Sequence, residues 1–175
     1  MFSKTLIAAL LASTAVATPI VACTPPTYQL RTFPTGAGSI YRGLSITPCD
    51  NGLLCVYKNE TGKYTANAPI EFTFSKGIVN IQAEQNEILY IEALGVKHAV
   101  SGTNGTEGTA NGWMYIPPGA SKDTTLGSLT FEGRKFYACD GPNPNISTIA
   151  AIPTDQTTTG KCFEQIQLIG QEVTA

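Results

Sequence analysis

Short runs in which apolar and polar residues alternate recur along most of the chain, and each run ends at turn-forming residues. A period of two is typical of a β-strand with one buried face. The segments that show this pattern are 70–74, 78–81, 88–93, 113–116, 129–131, 135–139, 149–152 and 162–169. No stretch longer than a few residues has the 3.6-residue period and the capping residues of a helix. The pattern therefore predicts an all-β fold of many short strands.

Three stretches share the same order of strands, turns and gaps, namely 28–57, 70–100 and 113–152. Three similar copies favour a single-domain β-trefoil-like barrel. The copies agree in pattern and not in residue identity, so an antiparallel β-sandwich is the alternative. A length of 175 residues fits one domain, and no linker divides the chain.

The N-terminus has the three parts of a secretory signal peptide. A short basic start precedes an apolar run over 5–16, and small residues follow it, so we predict that 1–17 is removed and that 18–175 is the mature domain. Cleavage after Ala22 is the alternative, because the residues before Cys23 loosely fit a bacterial lipoprotein signal.

Three N-glycosylation sequons begin at Asn59, Asn104 and Asn145, each in a stretch rich in Gly, Asn or Pro. Together with the signal peptide they favour a eukaryotic secretory route and a glycoprotein. The rest of the sequence contains no apolar run long enough to span a membrane and no hydrophobic C-terminal anchor signal. We therefore expect a secreted protein, extracellular or held in a cell wall.

Five cysteines in an oxidising compartment indicate disulfide bonds. Cys49 and Cys55 flank a turn sequence, and Cys139 and Cys162 flank a loop rich in Pro and Asn, so we pair them in this way. Other connectivities stay open, and Cys23 is left free, linked to another molecule or competing for one of these partners. A zinc site is a poor alternative, because the chain has no CxxC spacing and one histidine.

The charge balance argues against nucleic acid as a partner. Eleven basic and thirteen acidic side chains give a net charge of −2, and the pI is near 5.3. Proteins that bind nucleic acid usually present a basic face and have a high pI.

No catalytic motif is recognisable, and we expect no metal or cofactor. Glu84 and Glu92 share one strand face but would lie roughly 27 Å apart on a straight strand at about 3.3 Å per residue, too far for a glycosidase pair. These two residues and Glu87 more simply mark a solvent-facing surface. His98 has no GxSxG nucleophile motif to act on. The glycine-rich loop 102–112 lacks the Lys-Ser/Thr ending of a phosphate-binding loop.

Seven tyrosines and one tryptophan are scattered among the predicted strands, where packing in the core is their ordinary role. Aromatic faces also stack on sugar rings. Trp113 and Tyr115 are the candidate glycan contacts.

Several motifs in the second half of the chain carry a family resemblance. They are Gly112-Trp113, the run Leu126-Gly-Ser-Leu-Thr-Phe-Glu-Gly133, the run Phe136-Tyr-Ala-Cys139, and Cys162-Phe163 before the last strand. This part of the chain, with Cys23 just after the signal peptide, resembles the fungal PhiA-type cell wall proteins and related IgE-binding allergens. The resemblance implies a secreted or wall-associated β protein of a filamentous fungus. It supplies no catalytic residue to transfer.

Three functions follow as expectations. The first is a non-enzymatic secreted or cell-wall-associated protein that binds wall glycan or another wall component. The second is a secreted effector or inhibitor that binds a partner protein, with loop 102–112 as the contact. The third, and the least supported, is a small hydrolase that uses carboxylates.

Overall fold

Twelve β-strands form the regular structure in the computed structural model of the chain, which describes residues 25–37, 39–49, 52–57, 68–83, 87–100, 108–119, 126–158 and 160–173. The strands are β1 (Tyr28–Pro34), β2 (Thr47–Pro48), β3 (Leu54–Tyr57), β4 (Glu71–Ser75), β5 (Ile78–Ile81), β6 (Glu87–Glu92), β7 (Gly95–Val100), β8 (Trp113–Ile116), β9 (Gly127–Phe131), β10 (Arg134–Asp140), β11 (Ile146–Pro153) and β12 (Cys162–Glu172). These ranges contain no α-helix. The predicted all-β class is confirmed.

Eight of the strands close into an antiparallel barrel. The circuit runs β11, β7, β6, β5, β4, β1, β12 and β10, and β10 returns to β11. Closure leaves these strands without a free edge, which protects the sheet from pairing with other chains. All twelve strands belong to one sheet, so the architecture is a barrel and not the alternative two-sheet sandwich. The three-fold trefoil pattern stays a prediction, because strand pairing alone does not establish that symmetry.

The remaining strands extend the barrel at two places. β12 pairs with β10 along its first half and with β9 along its second half, and β8 continues the sheet from β9. The start of β11 pairs with β3 and its middle with β7 on the same edge, so β3 and β7 meet end to end there. This junction forms a concave surface on the outside of the barrel.

The β4–β5 hairpin shows how local sequence sets the turns. Lys76 and Gly77 both have positive φ, 51° and 79°. Two central residues with positive φ define the type I′ turn that suits the twist of a two-residue hairpin. The predicted break between the segments 70–74 and 78–81 is therefore confirmed.

Alternate side chains of the strands fill the barrel interior. The large residues that are almost completely buried include Leu30, Phe72, Leu89, Trp113, Leu129, Ile149, Ile166 and Leu168. Side chains of this size fill the interior of a barrel of eight strands. A ligand therefore meets this protein on its outer surface or at its ends.

Both predicted disulfides are present. Cys49 and Cys55 close the turn between β2 and β3, with Cα atoms 5.7 Å apart. Cys139 and Cys162 are opposite each other on β10 and β12, with Cα atoms 3.9 Å apart. The second bond therefore ties together two neighbouring strands of the closed barrel.

Two N-terminal predictions, the signal peptide 1–17 and the state of Cys23, fall outside the described residues. Within the part of the chain that the structure covers, no helix has the length and apolar character needed to cross a membrane.

Candidate functional site

The predicted glycan contact at Trp113 is wrong. Its ring is 1% exposed and lies between two aromatic neighbours, stacked on Phe136 at 5.9 Å and edge-on to Phe131 at 5.0 Å. Its indole N–H donates to the carbonyl oxygen of Leu89 at 3.2 Å. The alternation of β8 turns Trp113 inward, so the residue serves the core and cannot stack on a sugar.

Tyr115 points the same way along β8 and is half-buried. Its ring centroid lies 4.6 Å from that of Tyr28 and 5.6 Å from that of Phe72. The Tyr115 hydroxyl donates to the carbonyl oxygen of Gly170 at 3.4 Å. Burial raises the pKa of Tyr115 well above its ordinary value, and the nearby Tyr28 and Glu172 act in the same direction. A glycan contact at Tyr115 stays a prediction.

Glu87 and Glu92, the described glutamates of the β6 region, have different partners and do not form a pair. Glu92 forms an ion pair with Lys97 on the outer surface of the β6–β7 hairpin. The hydrogen bond from Lys97 to this carboxylate raises the pKa of the Lys97 ammonium group. Glu87 has a different partner, and Glu84 lies outside the residues that the structure describes.

Glu87 and His98 form a hydrogen-bonded pair that sequence reasoning missed. The His98 Nδ1 atom lies 2.7 Å from a Glu87 carboxylate oxygen, and His98 Nε2 is shielded from solvent and has no hydrogen-bond partner in the described structure. In the hairpin register Leu89 is opposite His98, so Glu87 is the diagonal neighbour of His98 on the same face. A prediction of this pair would have needed the register of the β6–β7 hairpin, because the register places both side chains on one face.

A recess of about 410 Å³ at the barrel rim contains this pair. A carboxylate that orients an imidazole resembles the base half of a catalytic triad, which also needs a nucleophile. The described side chains of the recess include no serine, threonine or cysteine. Glu71 also lines the recess, but strand alternation places it on the opposite sheet face from Glu87. The arrangement supports a polar contact rather than an assembled reaction centre.

Another concave surface, the outer groove, has a volume of about 580 Å³ and lies where β3 and β7 meet β11. The Cys139–Cys162 disulfide and the small residues Gly95 and Ala150 contribute apolar lining. Charged groups around them are Glu92, Lys97, Asp140 and Lys161. Mixed lining of this kind suits an amphipathic ligand or a protein segment.

A smaller cleft of about 330 Å³, the end cleft, lies between the loop after β1 and the start of β12. Phe163 lines it and is 53% exposed, in contrast to the buried Trp113. Thr35, Ser39 and Glu164 contribute polar groups. Sequence pattern does not single out Phe163, because its exposure depends on how the start of β12 packs against the loop after β1.

The predicted glycosylation sites are only partly described. Asn145 is exposed in the turn between β10 and β11, where a glycan has room. Asn59, Asn104 and residues 102–107 of the predicted contact loop 102–112 lie outside the described ranges. Among the residues that are described, no three His, Cys, Asp or Glu side chains form a group able to hold a metal ion.

Comparisons with protein families, with curated proteins and with solved structures return no match for this chain. The resemblance to PhiA-type proteins therefore remains an interpretation of the motifs between Gly112 and Cys139.

Proposed function

We propose that the protein is a non-enzymatic secreted binding protein of a fungal cell wall, glycosylated and recognising wall glycan or another wall component. The observation that carries the proposal is the position of the concave surfaces on a disulfide-tied barrel whose interior is filled by side chains. Both the outer groove and the end cleft open to the outside of the protein, where a long polysaccharide chain can reach them.

The chemistry of a wall environment is consistent with this proposal. Two disulfides are compatible with an oxidising extracellular space. The exposed Asn145 can carry a glycan without disturbing the core. The predicted signal peptide 1–17 and the resemblance to PhiA-type wall proteins support the same location.

The test is a binding isotherm on insoluble polymers. The secreted, disulfide-bonded protein is incubated with chitin and, separately, with β-1,3-glucan, and the protein left in the supernatant is measured. We expect saturable depletion on at least one polymer. Depletion on neither polymer beyond that of an unrelated acidic protein of similar size would contradict the proposal.

A second candidate function is binding of a partner protein as an effector or inhibitor. The outer groove favours it, because Leu94 is 42% exposed at its border beside the Glu92–Lys97 ion pair. Apolar anchors surrounded by polar groups are typical of protein interfaces. Secretion only during contact with a host organism would favour this function over wall binding. The carboxylate hydrolase has the weakest support, because Glu71 and Glu87 lie on opposite sheet faces.

A further inference from the structure

We propose that the end cleft is a carbohydrate subsite that binds one pyranose unit of an uncharged or amino-substituted polysaccharide, with Phe163 as its stacking platform. The inference rests on the proposed function and names the place on the molecule where the glycan is held. Four features of the cleft support it.

The first feature is the exposure of the Phe163 ring. Phe163 is 53% exposed, and among the described aromatic residues no other is more than half exposed. About half of the ring contacts water, so a ligand that covers it removes apolar surface from water. The C–H face of a pyranose covers such a ring and removes apolar surface from water on both partners.

The second feature is that the platform is held in place. Phe163 directly follows Cys162, whose disulfide to Cys139 fixes the start of β12. Beneath it, the buried Tyr41 ring lies 6.1 Å away between centroids, at an interplanar angle of 37°. A platform that is already ordered loses little conformational entropy when a ligand binds.

The third feature is the set of hydroxyl groups beside the ring. Ser39 Oγ accepts a hydrogen bond from the backbone N–H of Tyr41 at 3.0 Å, which leaves its own O–H available as a donor. Thr35 Oγ1 donates to the carbonyl oxygen of Gln165 at 2.9 Å, which leaves its lone pairs available as acceptors. One donor and one acceptor match the two roles of a sugar hydroxyl.

The fourth feature is the carboxylate of Glu164. Its Oε1 atom is shielded from solvent and has no hydrogen-bond donor in the described structure, an arrangement that costs free energy. Rotation about the last torsion of a glutamate is soft, so this oxygen can turn toward the cleft. A sugar hydroxyl or ammonium group would then satisfy it.

The charge of the cleft sets the ligand class. Glu164 is its charged side chain, and no lysine or arginine belongs to the described lining. A negative cleft repels uronic acids and phosphorylated sugars and accepts neutral or cationic units. Its volume of about 330 Å³ is at the low end of ligand pockets, which span roughly 300–1,000 Å³.

The experiment measures binding of chitotriose and laminaritriose, together with the polymer isotherms, for the wild type and four variants. Phe163→Ala should weaken binding by about tenfold, the equivalent of losing a stacking contact. Phe163→Trp should retain binding, and Glu164→Gln should weaken binding of the cationic glucosamine trimer, measured beside the two neutral oligosaccharides, more than that of laminaritriose. The matched control is Ile116→Ala, because Ile116 is also exposed, at 54%, but belongs to β8 and does not line the cleft.

The outcomes separate this inference from the proposed function. If the wild type binds a polymer and Phe163→Ala binds it equally well, the end cleft is not the subsite although the protein still binds wall glycan. If the wild type binds neither the polymers nor the oligosaccharides, both proposals are wrong. Emission of the buried Trp113 verifies that the variants with one tryptophan are folded, and far-UV circular dichroism verifies the fold of Phe163→Trp, which has a second tryptophan.

Discussion

At the scale of single residues, the clearest consequence of folding is the environment of Tyr115. Its ring contacts the aromatic rings of Tyr28, Phe72 and Phe74, and burial raises its pKa well above the ordinary value of 10.0. The pKa of Tyr28 is raised as well, chiefly by burial and then by the charge of Glu172. Both phenols therefore hold their protons more tightly in the folded chain than in the unfolded chain.

We predict that the free energy of unfolding decreases as the pH rises above about 10, where unfolded tyrosine begins to ionise. In that range the folded state binds more protons than the unfolded state. The contribution of the two tyrosines to the free energy of unfolding is therefore fully present below about pH 10 and is lost as the pH approaches their raised pKa values. The free energy of unfolding of Tyr115→Phe should decrease less steeply with pH. The decrease that remains is expected from Tyr28, whose pKa is also raised. Urea unfolding at pH 7 to 11 measures this, and equal alkaline slopes for both proteins would contradict it.

At the scale of elements, the β10–β11 hairpin depends on close backbone contact at its turn. Gly141 N–H donates to the carbonyl oxygen of Ile146 at 3.0 Å, and Ile146 N–H donates to the carbonyl oxygen of Asn143 at 3.1 Å. A Cβ atom on Gly141 would overlap the Ile146 carbonyl group. Because that neighbour is backbone, the turn itself would have to shift.

We therefore predict that Gly141→Ala lowers the free energy of unfolding by about 1–3 kcal/mol, the usual cost of forced overpacking. Gly160→Ala is the matched control, because a Cβ atom there would meet nothing within 4 Å, and its effect should stay within about 0.5 kcal/mol. Chemical denaturation of the same glycoform measures both variants. Equal stabilities would show that the turn adapts freely.

The hairpins also show which features of the strands can be predicted from sequence pattern. Trp113–Ile116 was predicted with the observed bounds, because alternation and the following prolines mark its ends. Sequence pattern does not predict β7 as a strand, so it also does not predict the diagonal contact between Glu87 and His98. Alternation identifies a strand, but only the register tells which two side chains share a face.

At the scale of the whole molecule, closure of the barrel depends on β10, which lies between β11 and β12. The Cys139–Cys162 disulfide reinforces the β10–β12 contact and spans 23 residues, whereas Cys49–Cys55 spans 6. In the chain-entropy account, the longer loop restricts the unfolded chain more.

We predict that replacing Cys139 and Cys162 together by alanine lowers the free energy of unfolding by about 3 kcal/mol, and that replacing Cys49 and Cys55 lowers it by about 2 kcal/mol. Thermal and urea unfolding under oxidising conditions measure the difference. Under a strong reductant each double variant should approach the stability of the reduced wild type. If removal of the shorter link is the more destabilising, local packing rather than chain entropy sets the effect.

The sequence by itself determined the all-β class and most strand positions, and it favoured the two observed disulfides while leaving other connectivities open, because these features depend on local alternation and on the turn and loop residues near the cysteines. The tertiary structure alone decided that the sheet closes through eight strands, that Trp113 faces inward, and that Phe163 stays exposed beside Ser39 and Glu164. The physical reason is that burial of a side chain depends on strands distant in the sequence. A period of two defines two faces but does not tell which groups cover each of them.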